Sequence, residues 1–62
     1  MNGVDKLLLR PQEAAEQLGI GRSKLYALLA SGELPSVRLG HSIRVPAAAL
    51  KEWVERAAAR DA

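Results

Sequence analysis

The sequence contains no cysteine and no phenylalanine, and it has one tryptophan, one tyrosine and one histidine. Without cysteine there is no disulfide framework and no thiolate metal site, which fits a reducing cytoplasm. A lone histidine leaves no set of zinc ligands. No apolar run reaches the roughly 18 residues that a membrane helix needs, and "KLLLR" is too short for a signal-peptide core. The expectation is therefore a soluble cytoplasmic protein with no metal, no cofactor and no membrane partner. Enzyme motifs are missing too. "GIG" at Gly19–Gly21 lacks the further glycine of a dinucleotide fingerprint, and no serine or acid has an evident histidine partner for nucleophilic chemistry. No catalytic residue is assigned.

The 62 residues suffice for a single domain, 1–62, with one small core. The ends, 1–5 and 60–62, are expected to fray. Net charge is only +2, but it is unevenly placed. Residues 1–19 carry Lys6 and Arg10 against Asp5, Glu13 and Glu16. Residues 20–45 carry Arg22, Lys24, Arg38 and Arg44 against Glu33 alone. Residues 46–62 balance Lys51, Arg56 and Arg60 against Glu52, Glu55 and Asp61. A basic middle suits a polyanionic partner, although an unevenly charged solvated surface would read the same way.

Local signals divide the chain. "KLLLR" reads as extended up to Pro11. Proline suits the first helical position, and Glu13 suits the positive end of the helix dipole, so a helix is predicted over Pro11–Leu18 with Ala14, Ala15 and Leu18 inward. Gly19 provides the following turn. A second helix is predicted from about Gly21 to Ala30, with Leu25, Leu28 and Leu29 on one face, ended by "SGELP". "VRLGHSIRV" alternates apolar and polar residues around a short glycine loop, a hairpin signal. A three-residue loop, Gly40–Ser42, would pair Leu39 with Ile43, Arg38 with Arg44 and Val37 with Val45. The apolar pairs would then face the core and both arginines would face out. Pro46 opens a last helix to about Ala59, with Leu50, Trp53, Val54 and Ala57 as its inward stripe; Trp53 is assigned to the core.

Two helices joined by a glycine turn and followed by a basic hairpin and a third helix describe a winged helix-turn-helix, mainly α with a small β-hairpin. "PQEAAEQLGIGRSKLYALL" resembles the helix-turn-helix pattern, with Ala15 as its small residue, Gly19 as its turn glycine, and Ile20, Leu25 and Leu28 as its apolar positions. The longer run from "LLLRPQEAAEQLGI" through "LYALLASGELPSVRLG" to "ALKEWVE" is similar to the excisionase-like family of small MerR-type winged-helix proteins, also called recombination directionality factors. The resemblance implies that the second helix enters the major groove of double-stranded DNA and that the wing reaches the backbone or minor groove. It places Arg22, Ser23, Lys24 and Tyr26 on the recognition helix, and Arg38, Gly40, His41 and Arg44 on the wing.

This sequence also departs from the family's habits. Arg10 and Gly21 stand where capping serines or threonines are common. Ala27 and Ala30 stand where a basic residue is frequent, and His41 stands where the wing often has arginine. The function implied is sequence-specific, architectural DNA binding that bends an attachment site. It would direct a phage-type integrase toward excision, with cooperative copies on the DNA and nucleoid association when bound. A small transcription regulator of the same fold is one alternative. A protein-interaction module that has lost DNA binding is another. Each candidate also has a structural reading: Ser23 can serve the first helical turn, Tyr26 can pack on the hairpin, and Arg44 can pair with Glu33.

Overall fold

The computed structural model describes residues 6–61; the expected fraying of residues 1–5 and of residue 62 lies outside them. The chain runs β1 (Leu8–Leu9), α1 (Pro11–Leu18), α2 (Arg22–Ser31), β2 (Val37–Leu39), β3 (Ser42–Pro46) and α3 (Ala47–Asp61). Three helices and a small antiparallel sheet of order β1-β3-β2 give the winged helix-turn-helix architecture. Residues 60–61 belong to α3.

Helix α1 is bounded as its sequence dictates. Arg10 has no side-chain acceptor for capping, so the cap is half of a capping box: Glu13 accepts from the Arg10 backbone N–H at 2.9 Å. The same carboxylate accepts from Lys6 Nζ at 2.7 Å. At the other end Gly19 adopts φ 72°, ψ 31°. Its N–H donates to the Glu16 carbonyl, and the Ile20 N–H reaches back to the Ala15 carbonyl at 3.0 Å. That pair of bonds is a Schellman motif, whose left-handed residue suits glycine. It turns the chain sharply and delivers α2 onto α1.

The core consists of Leu9, Ala14, Ala15, Leu25, Leu34, Val45 and Leu50. Leu18, Ile20, Leu28, Leu29, Ala47 and Trp53 pack around it, partly buried. Two members were not foreseen. Leu9 enters because β1 pairs with β3, Leu9 opposite Val45 and Leu8 opposite Pro46; a two-residue strand leaves no periodic trace in the sequence. The ladder passes Pro46, which has no N–H, and continues where the Ala47 N–H donates to the Leu7 carbonyl at 2.9 Å. Leu34 enters because its N–H donates to the Leu28 carbonyl at 3.2 Å, which folds the segment after α2 back against the helix. Conversely Val54, predicted inward, is 45% exposed. Trp53 packs against the core but stays half-buried, and its Nε1 is buried with no hydrogen-bond partner among the described residues.

The hairpin departs most from expectation. Its register is Val37↔Arg44, Arg38↔Ile43 and Leu39↔Ser42, so the loop has two residues, Gly40 and His41, instead of three. Gly40 has φ 62°, and among the described residues no non-glycine residue has positive φ. Glycine at the first of two central positions, followed by a negative-φ residue, is the pattern of a type II′ turn, which matches the twist of a tight hairpin. A one-residue slip carries side chains to the other face of the sheet. Arg38 therefore does not face Arg44. Directly opposed residues share a face, so Arg38 lies with Ile43, whereas Arg44 lies with Val37 on the other side. Leu39, expected in the core, is 52% exposed.

Two outcomes are expected. Leu25 is fully buried, and its truncation to alanine should cost about 2–5 kcal/mol. A domain of this size holds roughly 3–5 kcal/mol in all, so Leu25→Ala should be largely unfolded by circular dichroism at 25 °C. The Glu13 carboxyl is held below the ordinary carboxylate range, first by the Lys6 hydrogen bond and then by that of the Arg10 N–H. Its contribution is present above the unfolded carboxyl pKa and is lost as pH falls through the lower, folded value. Glu13→Gln should therefore flatten the acid limb of a melting-temperature-against-pH curve. An unchanged limb would contradict the cap.

Candidate nucleic-acid interface

Helix α2 buries one side and leaves the other free. Leu25 is buried, Leu28 and Leu29 are half-buried, and Arg22, Ser23, Lys24, Tyr26, Ala27 and Ala30 are exposed. Ser23, Tyr26, Ala27 and Ala30 follow the spacing of a single helical stripe, with Arg22 and Lys24 at its leading end. Element contacts explain this: α2 packs chiefly on α1. Tyr26 is 48% exposed, so its ring is not absorbed by the hairpin.

The two helix starts differ in electrostatics. At α1, the Glu13 carboxylate lies over the first turn. At α2 the cap is Gly21, with no side-chain hydrogen bond and no acidic residue in the first turn. The Gly21 carbonyl accepts from Leu25 at 3.1 Å, but the first-turn N–H groups point onward without a side-chain acceptor. The positive end of the helix dipole thus coincides with Arg22 and Lys24. Uncapped N–H groups, a helix dipole and two cations together favour an anion such as phosphate. The missing N-cap serine therefore leaves backbone donors free.

The wing candidates divide in two. Arg38, Gly40 and His41 are exposed. Arg44 is half-buried, and its Nη1 donates to the Ile43 carbonyl at 3.0 Å, which folds the side chain along its own strand and leaves further guanidinium donors outward. The alternative bridge from Arg44 to Glu33 does not form: Glu33 faces Arg60 of α3 at 3.8 Å. Among the described residues, none of Arg22, Lys24, Arg38, His41 and Arg44 has a carboxylate partner. Leu39, at the wing tip beside these cations, was not among the predicted site residues. Its alternation with Arg38 had assigned it to the core, and only the register reveals it.

Elsewhere, a shallow groove of about 300 Å³ lies between α1 and α3, lined by Gln17, Leu18, Leu50, Lys51, Val54 and Glu55; it shares no residue with the recognition helix or the wing. No cluster of His, Asp or Glu among the described residues could hold a metal ion. No described helix is long and apolar enough to cross a membrane.

A two-helix unit with a glycine turn, an open recognition-helix start and a hairpin wing defines a winged helix-turn-helix module. The chain belongs to the helix-turn-helix domain family, whose model matches residues 8–58. It is 50% identical over 52 residues to a protein of Saccharopolyspora erythraea named "Probable excisionase", an alignment that covers 84% of this chain and 53% of that protein. It is 40% identical over 48 residues to a "Putative DNA-binding protein" found in two strains of Mycobacterium tuberculosis, covering 77% of this chain and 62% of that protein. The chain thus spans somewhat more than half the length of the curated relatives it matches. No solved structure matches it.

Exchanging Gly21 for aspartate tests the open helix start. A carboxylate at the cap would bond the first-turn N–H groups and should raise stability by only about a few tenths of a kcal/mol, because glycine is itself a tolerated N-cap. It should also weaken binding of any polyanion. Stabilisation with undiminished polyanion affinity would show that these N–H groups take no part.

Proposed function

We propose that this chain binds double-stranded DNA, with α2 in the major groove and the β2–β3 wing against the backbone or minor groove, and that it serves as an excisionase. In this reading it is an architectural, sequence-specific protein that bends attachment-site DNA and directs an integrase toward excision. The observation that carries the reading is the exposed, uncapped start of α2, which bears Arg22, Ser23, Lys24 and Tyr26 with no acid among them. The likeness to the Saccharopolyspora protein supports the choice of excisionase within the family. The mycobacterial relatives are named only for DNA binding, which fits equally a second reading, a promoter regulator with the same contacts.

The roles follow from the chemistry. Arg22 offers a two-bond fork suited to a guanine edge. Lys24, a compact ammonium, suits phosphate, and Ser23 and the Tyr26 hydroxyl can each donate to a phosphate oxygen. Arg38, His41 and Arg44 supply the wing's positive charge, and Gly40 shapes its turn. One such module buries only about 600–1,000 Å² on DNA. With Ala27 and Ala30 giving nothing to the backbone, useful affinity requires neighbouring copies, so binding to tandem sites should be cooperative.

A footprint and bend assay on the attachment region of the element that encodes the protein tests this. About four phosphate contacts predict a log-log slope of affinity against salt near −4. Arg22→Ala should relax sequence preference by about 1–3 kcal/mol at one base pair. Arg44→Ala should instead weaken all sequences alike. A flat salt response, or no shift with any DNA, would identify a protein-interaction module. If Arg38→Ala and Arg44→Ala both leave affinity intact, the wing makes no contact.

A further inference from the structure

The observed register exposes a feature that alternation along the hairpin conceals. Leu39 is the last residue of β2, directly before the Gly40–His41 turn and opposite the exposed Ser42. It lies on the face of Val37 and Arg44, away from Ile43 and Val45. At 52% exposure it contributes nothing to the core cluster. The wing tip therefore presents one branched apolar side chain beside the His41 turn, with Arg44 on its own face and Arg38 on the opposite face, and no acid lies anywhere in β2, the turn or β3.

An apolar side chain at the end of a narrow projection that carries cations on both of its faces suits a particular surface. A membrane or protein groove would want a broader apolar patch, and a bare phosphate would want no leucine. The DNA minor groove has anionic walls and an apolar floor of sugars and base edges. It is about 6 Å wide, and the two strands of a hairpin are already about 4.8 Å apart. The wing cannot seat its backbone there without widening the groove, but a side chain at its tip can enter. Minor-groove proteins that kink DNA insert leucine and similar wedges between base steps in this manner.

We infer that Leu39 is an intercalating or floor-packing wedge, and that it, rather than the wing arginines, produces the DNA bend. The cations hold the wing over the groove, and the leucine opens it. The type II′ turn serves this role because two residues with a glycine-fixed bend hold the tip in one orientation. The inference rests on the DNA-binding reading above and adds to it a source for the distortion.

The test compares wild type, Leu39→Asn, Leu39→Met and Arg38→Ala on circularly permuted DNA fragments carrying the footprinted site, with affinity measured across a salt series. Since Leu39 lies outside the core, all the Leu39 variants should melt like wild type. Leu39→Asn should abolish most of the bend and lower affinity roughly five- to tenfold, with an unchanged salt slope because no ion is displaced. Leu39→Met should keep the bend. Arg38→Ala should reduce the slope by about one and retain the bend. If Leu39→Asn bends DNA as wild type does, or loses affinity through a reduced salt slope, the wedge is wrong. Wild type that binds without bending overturns the wedge and leaves the DNA-binding reading standing. Wild type that binds no DNA overturns both.

Discussion

Everything in this fold leans on the burial of Val45 at the centre of its sheet. Among the described residues β3 is the only strand with partners on both sides, and Val45, fully buried, stands opposite Leu9 on one of them. Both α1 and α3 also pack on this strand. A core with no phenylalanine and a half-buried tryptophan must be made from alanine, valine and leucine, which fill space only when the elements approach closely. Ala14 and Ala15 permit that approach between α1 and the sheet. The wing is therefore no appendage. It is the far end of the strand that organises the core, so its position relative to α2 is set by the same contacts that stabilise the domain.

The helices were legible in the sequence because each carries independent local signals. Pro11 and Gly19 bound α1, and its alanines lie inward as the 3.6 period requires. Leu25, Leu28 and Leu29 orient α2 unambiguously, and that orientation exposes Arg22, Ser23, Lys24 and Tyr26. The sheet was less legible for a physical reason. Alternation fixes which residues of one strand share a face, but it does not fix which residue of the next strand lies opposite. That depends on loop length, and "LGHSI" accommodates two residues or three. Only the backbone geometry at Gly40 and His41 decides it. Leu9 and Leu34 were hidden differently: each lies in a segment too short to show a period, and each is buried through backbone pairing, Leu9 with the distant β3 and Leu34 back to Leu28 of α2. Val54 erred in the other direction: its helical phase is right, but it lines the open groove between α1 and α3 instead of being covered by it.

The register alters the electrostatic problem that the hairpin poses. Two arginines paired face to face would repel across about 5 Å, and an anion between them would be the natural remedy. On opposite faces they need no such remedy. Arg44 can lie along its strand with one donor satisfied by the Ile43 carbonyl, while Arg38 stays free in solvent. The two side chains are then unequal: one partly held before any partner arrives, the other paying its full ordering entropy on contact. A polyanion that engaged both would have to meet them from two sides of the wing.

The same contrast governs the helix ends. α1 satisfies its first turn internally, through a carboxylate fixed by Lys6, and it offers nothing to an anion. α2 leaves its first turn open. Capping it would make the domain more stable, and a small domain with a modest core would gain from that. The open end therefore costs stability where stability is scarce. Such a cost is expected at a site whose partner supplies the missing acceptor. With a phosphate as that acceptor, helix completion and anion binding become one event, and the part of the domain least satisfied alone is the part that an anion would settle.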